Sequence, residues 1–173
     1  MNEPSPREDR ESAGKGVLYL QFRIADQRFA LDVREVIEVL PCRTLKPIAQ
    51  APGWVAGVLA HRGVLVPVID LSALSFGVPA QSRSSTRMVL VHYRADSRRP
   101  DLQLGLVLEQ ATDTLRCAPE EFQPYGLDNA DARYLGPVRQ DARGLLQRIQ
   151  VNDLLSDTVR ELLYPVEPGQ EPA

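Results

Sequence analysis

Ala51 to Leu71 reads APGWVAGVLAHRGVLVPVIDL. Two apolar runs, Trp54 to Ala60 and Val64 to Asp70, flank the short Gly-containing turn His61-Arg62-Gly63. Apolar runs of strand length on either side of so short a turn predict a β-hairpin. Pro67 has no N–H to give to a sheet ladder, which favours an edge or a bulge at that point. Beyond the hairpin, Leu71 to Phe76 predicts one short helical turn ending before Gly77, and the Ser-rich stretch Pro79 to Thr86 predicts a loop.

Outward from this hairpin the dominant period remains two. Leu18, Leu20, Phe22 and Ile24 alternate with Tyr19, Gln21 and Arg23. After a polar turn at Ala25 to Arg28, Phe29, Leu31 and Val33 alternate with Ala30 and Asp32, so a half-buried hairpin is expected. Val36 to Leu40 continues extended up to Pro41. A second round follows: strands over Met88 to Tyr93, Leu102 to Leu108 and Thr112 to Cys117, with a polar turn at Arg94 to Asp101. Strand, turn, strand and extended segment thus occur at 17–40 and again at 88–117, a weak repeat of architecture. Residues 118–143, rich in Pro, Gly, Asp and Ala, read mostly as loop, and Leu145 to Val151 as a last strand. Asn152 can cap a C-terminal helix whose stripe is Leu154, Leu155, Val159, Leu162 and Leu163, and Pro165 stops it. The chain therefore reads as mainly β, with nine or ten short strands and one C-terminal helix. Small barrels suit this pattern, because closing a sheet removes its unpaired edges.

The 173 residues suffice for one well-buried domain, and 43% hydrophobic with 25% charged residues is ordinary for a globular protein. Residues 1–15 and 165–173 are polar and Pro-containing and are expected to be flexible tails. The longest apolar stretch, Trp54 to Ala60, is far short of the ~20 residues of a membrane span, and the N-terminus lacks the apolar core of a secretory signal. Net charge is −3, and the basic residues are scattered rather than gathered into a stripe, which argues against a nucleic-acid binder. Cys42 and Cys117 lie in separate segments without a CxxC pattern and are expected to be reduced structural thiols.

Signals for catalysis are absent. Neither His61 nor His92 has a second His or a Cys at metal-ligand spacing, no phosphate-cradling Gly-rich loop occurs, and no Ser sits in a nucleophile elbow. Glu120 and Glu121 read as solvated surface. No metal or cofactor is implied. Two segments stand out instead. In Leu31 to Leu40, Glu38 sits among apolar neighbours, either as a solvent-facing strand position or as a functional acid. In Gly57 to Leu71, Arg62 caps an almost wholly apolar hairpin, either as an ordinary turn charge or as a binding group, and His61 reads as a surface turn residue.

At these residues the sequence resembles the CheW-like domains of bacterial chemosensory systems, from about Val17 to Leu163. Ala51 to Leu71 carries the strongest match, followed by FALDVREVIEVL (Phe29 to Leu40), LGLVLEQATDTL (Leu104 to Leu115) and VNDLL (Val151 to Leu155). The resemblance implies two intertwined five-stranded SH3-like β-barrels with a C-terminal helix, as a single domain over 16–164. It implies one barrel from about 26–80. The other would come from about 86–151 joined by the N-terminal strand 17–24, with the helix at 152–164. The implied function is a non-catalytic adaptor in the cytoplasm, recruited to membrane receptor arrays. It would link a chemoreceptor's cytoplasmic tip to a CheA-type histidine kinase, without nucleic acid and without membrane insertion of its own. Carried over by motif, Glu38 and Arg62 would lie close together at a receptor-facing groove, with Val36, Gly57 and Gly63 in the same functional region. The kinase would dock on a mainly apolar end of the first barrel.

The chain departs from the family pattern in places. Ala60-His61 stands where Asn-Leu is usual before Arg-Gly, and Leu108-Glu109-Gln110-Ala111 where Val-Asp-Gly-Val is common. Arg148 and Arg87 stand where apolar strand residues are usual. Relatives also serve surface-sensing (Wsp-type) and type IV pilus pathways, which stay open as outputs. From other classes, a small β-barrel enzyme and a β-barrel nucleic-acid-binding protein are the alternatives. The second would need a basic groove with stacking aromatics, and aromatics are only 6%.

Overall fold

A computed structural model describes residues 16–124 and 130–166. The expected tail 1–15 lies outside the described residues, as does all of 165–173 except Pro165 and Val166. The strands are β1 (Val17–Ile24), β2 (Gln27–Asp32), β3 (Val36–Pro41), β4 (Val55–His61), β5 (Val64–Asp70), β6 (Arg87–His92), β7 (Gln103–Leu108), β8 (Asp113–Cys117), β9 (Leu135–Asp141) and β10 (Gly144–Ile149). Two helices complete the described residues, α1 (Leu71–Phe76) and α2 (Asp157–Leu163), along with short 3-10 turns. The mainly β class, the two five-stranded units and the C-terminal helix are as expected.

One sheet has the order β8-β1-β2-β10-β9 and the other β3-β6-β7-β5-β4. Strand membership therefore differs from the expected division at 26–80 and 86–151. The chain repeats as β1–β5 and β6–β10, and the halves exchange whole hairpins rather than one strand. Hairpin β1–β2 joins β8, β9 and β10, while hairpin β6–β7 joins β3, β4 and β5. Each borrowed hairpin docks through a parallel pairing, β2 on β10 and β7 on β5. The repeat extends to detail. The segment after β3 bridges to β4 at Lys46–Val58, and the segment after β8 bridges to β9 at Gln123–Val138.

The exchange makes one domain of two sheets. The largest apolar cluster lies between them, with Leu20, Phe22, Ile24, Phe29 and Leu31 from the first sheet against Ile69, Val89, Val91, Leu104 and Leu106 from the second. Each sheet also curls around a small cluster of its own: Tyr19, Ala30, Cys117, Phe122 and Leu146 in the first, and Leu40, Leu59, Val66, Val68, Met88 and Leu90 in the second. Cys117 is buried and Cys42 exposed, both as free thiols. Pro67 does not sit on an edge strand, since β5 lies between β4 and β7. It pairs with Val58, and the parallel ladder to β7 begins one residue later, at Val68, so its missing N–H costs no bond there.

Three further expectations are corrected. Residues 118–143 contain β9, whose Gly136 and Pro137 mask a strand with few apolar residues. Asn152 does not cap the C-terminal helix: its side chain accepts from the Arg94 N–H at 2.9 Å, and Ser156 caps α2 by accepting from the Val159 N–H. The helix is accordingly shorter than 152–164, and its stripe is rotated. Leu154, Leu155 and Leu163 are buried, but Leu162 is 42% exposed. Tyr164 anchors the end instead, stacked on Tyr93 and donating to the Gln103 carbonyl at 2.6 Å.

The open end of the first sheet's inner face is closed by a paired charge. Arg28 donates to both carboxylate oxygens of Asp141, at 2.8 and 3.0 Å, and to the Gln21 side chain at 3.1 Å. The two side chains are only 7% and 22% exposed. The hydrogen bonds from Arg28 hold the Asp141 carboxyl at about 2. A carboxylate depressed on folding contributes stability above its ordinary range, and that contribution is lost as pH falls towards 2. Arg28→Met is expected to cost about 2–3 kcal/mol, because it takes the bidentate partner from a half-buried carboxylate and leaves it Arg139 and the Arg143 N–H. The variant should lose less stability on acidification than the wild type, so its deficit shrinks as pH falls towards 2 and Asp141 protonates in both. Denaturant melts at pH 7, 4 and 3 check this, and a deficit that stays the same at all three would refute it.

Candidate functional site

Sequence alternation alone would put Glu38 on the face of Val36, which packs towards the inter-sheet core. A β-bulge between Val36 and Glu38 inserts one residue into β3, so Val36 pairs with Val91 but Glu38 with Leu90. One extra residue reverses the facing of everything after it. Glu38 and Leu40 therefore lie on the inner face of the second sheet, with Leu40 in its core and Glu38 at its open end. β4 carries the matching device. A bulge between Val55 and Gly57 turns Leu59 and then His61 to that same inner face.

Two side chains that the bulges turn inward, Glu38 and His61, meet at the mouth of the second barrel. His61 Nε2 lies 2.7 Å from Glu38 Oε2, and the His61 side chain is only 11% exposed. An ionised carboxylate can only accept, so Nε2 is the protonated nitrogen that donates. Arg62 Nη2 reaches the same carboxylate at 3.4 Å, and its side chain is 77% exposed. The imidazole hydrogen bond, and after it the Arg62 charge, hold the Glu38 carboxyl below the usual range. The contact also joins the two edge strands of the sheet, β3 and β4, across the seam where they have no ladder between them.

Arg62 and Gly63 form the whole β4–β5 connection, since His61 pairs with Val64. Their φ angles are 51° and 78°. Two positive φ values in a two-residue loop make a type I′ turn, which favours Asn-Gly. Gly63 suits it and Arg62 does not. Gly57 has φ 144°, and a Cβ there would lie 2.6 Å from the Lys46 carbonyl oxygen, so its lack of a side chain lets the 45–46 segment pack against β4.

The expected neighbours Glu38 and Arg62 are thus brought together, with Gly63 in the same turn. Gly57 supports the site from the far end of β4. Val36 lies on the opposite face, towards the inter-sheet core. His61, read as a surface turn residue, is the tightest partner of Glu38. The missed signal was the inserted residue in each strand, which period-two reading does not register. Val39, Val64 and Leu65 flank the site as exposed apolar side chains. Among the described residues no group of three or more His, Cys, Asp or Glu could hold a metal, and no helix is long and apolar enough to cross a membrane.

A family model described as CheW-like domain matches residues 18–159. The chain is 30% identical over 105 residues to the chemotaxis protein CheW of Rhizobium meliloti, covering 61% of this chain and 64% of that relative, just under two thirds of its length. It is 28% identical over 149 residues to the probable chemotaxis protein CheW of Rhizobium etli, covering 82% and 89% of the two chains. The crystal structure of the scaffolding protein TtCheW from Thermoanaerobacter tengcongensis shares the fold, with a TM-score of 0.70 at 19% identity over 83% of this chain and 90% of that one. Matched by the family model over most of its length, the chain belongs to the CheW-like domain family.

Proposed function

We propose that this chain is a non-catalytic adaptor that couples a chemoreceptor's cytoplasmic tip to a CheA-type histidine kinase. It would work in the cytoplasm and be recruited to receptor arrays. The observation that carries this is the open end of the second barrel, where Glu38 and His61 are fixed and a guanidinium is left exposed on a two-residue turn. A rigid barrel mouth with one outward cation and an apolar fringe suits docking to a protein surface better than turnover of a small molecule. In this reading Glu38, Arg62 and Gly63 form the receptor-facing groove, and Val36 and Gly57 hold the strands that carry it. The kinase docks on the exposed apolar residues of the same hairpin, Val64 and Leu65, of which Leu65 is 73% exposed.

Co-expression tests the reading. The tagged full-length chain, produced with a chemoreceptor cytoplasmic fragment and a CheA-type kinase from the same organism, should retain both on an affinity column and raise receptor-dependent kinase autophosphorylation. Recovery of neither partner would overturn the adaptor role. The kinase that co-purifies would also decide between swimming, pilus and surface-sensing outputs.

A further inference from the structure

Two donors compete for one carboxylate at the barrel mouth, and they do so unequally. His61 sits at 2.7 Å from Glu38, nearly buried, while Arg62 stands at 3.4 Å and is 77% exposed. A guanidinium offers five N–H donors in a planar fork that matches a carboxylate. At 3.4 Å from Glu38, beyond the ordinary N–H···O distance, almost none of that fork is engaged. The imidazole has taken the position that a bidentate Arg62–Glu38 pair would otherwise fill.

We propose that His61 is a positioning residue. By fixing Glu38 through Nε2 it keeps Arg62 from closing onto that carboxylate, and it leaves the guanidinium free to receive a carboxylate of the bound receptor segment. The inference rests on the reading of this end as the receptor site. It goes beyond that reading by naming an acidic side chain as the group recognised and His61 as the residue that sets its affinity. An apolar residue at position 61 would release Glu38 to pair with Arg62, and a partner acid would then have to break that pair before binding.

Three variants of the full-length chain test this: His61→Leu, His61→Gln and Arg62→Ala. The barrel interior next to position 61 is apolar, so His61→Leu should fold. Calorimetric titration with a receptor cytoplasmic fragment should show binding weakened about tenfold in His61→Leu, the size of one charge-assisted hydrogen bond. His61→Gln should restore it to within about twofold, because an amide N–H can donate to Glu38 from nearly the same place. Nitrogen-15 relaxation at the Arg62 Nε should report a mobile side chain in the wild type and a more ordered one in His61→Leu. Unchanged affinity in His61→Leu, equal losses in Leu and Gln variants, or no ordering of Arg62 would each overturn the role of His61 while leaving the adaptor reading intact. Absence of binding by the wild type would overturn both.

Discussion

Gly57→Ala is expected to lower the melting temperature by about 6–12 °C, corresponding to roughly 3 kcal/mol for a chain of this size. Two independent penalties act at this position. The backbone φ of 144° lies where an L side chain is strained, and the new Cβ would fall 2.6 Å from the Lys46 carbonyl oxygen and 2.9 Å from the Leu45 Cβ. Backbone cannot swing aside as the end of a long side chain can. The 45–46 segment would therefore have to move off β4, breaking the reciprocal bonds Val58 N–H to Lys46 O (2.8 Å) and Lys46 N–H to Val58 O (3.1 Å). Leu45 packs on the second sheet's inner cluster, so that cluster loses its cover as well. Hydrogen exchange should show the Lys46 and Val58 amides deprotected together. Gly63→Ala is the control: nothing lies within 4 Å of its Cβ position, so only the strain of φ 78° is added, about 1 kcal/mol. Equal melting temperatures for Gly57→Ala and the wild type, with both amides still protected, would refute the clash.

The hairpins were legible because apolar alternation and turn chemistry are local. β1–β2 closes through Ala25 and Asp26, with φ 48° and 64°, where a polar turn was expected. The repeat of strand, turn, strand and extended segment was also legible, and it corresponds to β1–β3 and β6–β8. Which half each hairpin joins was not, because the docking is by parallel pairs, β2 with β10 and β5 with β7, far apart in sequence and joined by no tight turn. β9 was hidden because much of its length is Gly, Pro and polar residues on an edge strand. The departure at Arg148 has a structural account that only the fold supplies. Its guanidinium reaches Asp32, itself buried at the end of β2, at 3.5 Å and lies over the Tyr19 ring. At the site, Glu38 and Arg62 stood out in the residue pattern with two readings each, and only the family resemblance brought them together as a binding pair. Their meeting with His61 depends on two bulges, and a bulge leaves no mark on hydrophobic period beyond one residue out of phase.

Arg62→Asn is expected to stabilise the fold and to abolish most receptor coupling, a pair of effects with opposite sign. Position 62 is the first residue of a type I′ turn, at φ 51°. Arginine carries a Cβ and no short polar group to satisfy the local backbone, and asparagine is the residue that tolerates this conformation best after glycine. Relief of the left-handed strain should raise stability by about 0.5–1 kcal/mol, or roughly 2–4 °C in melting temperature. Loss of the guanidinium removes the exposed cation of the barrel mouth, and asparagine is too short to reach a partner carboxylate from the turn. Receptor-dependent kinase activation should therefore fall about tenfold or more, with kinase binding retained. Arg62→Ala should show the same functional loss without the stabilisation, and Arg62→Lys should recover part of the coupling, since an ammonium keeps the charge but not the planar fork. Strain kept at a position where a better turn residue exists is the physical mark of a side chain selected for contact rather than for folding. An Arg62→Asn protein that couples receptors normally would return Arg62 to the status of a solvated turn charge. One that melts below the wild type would show that the turn draws support from the guanidinium itself.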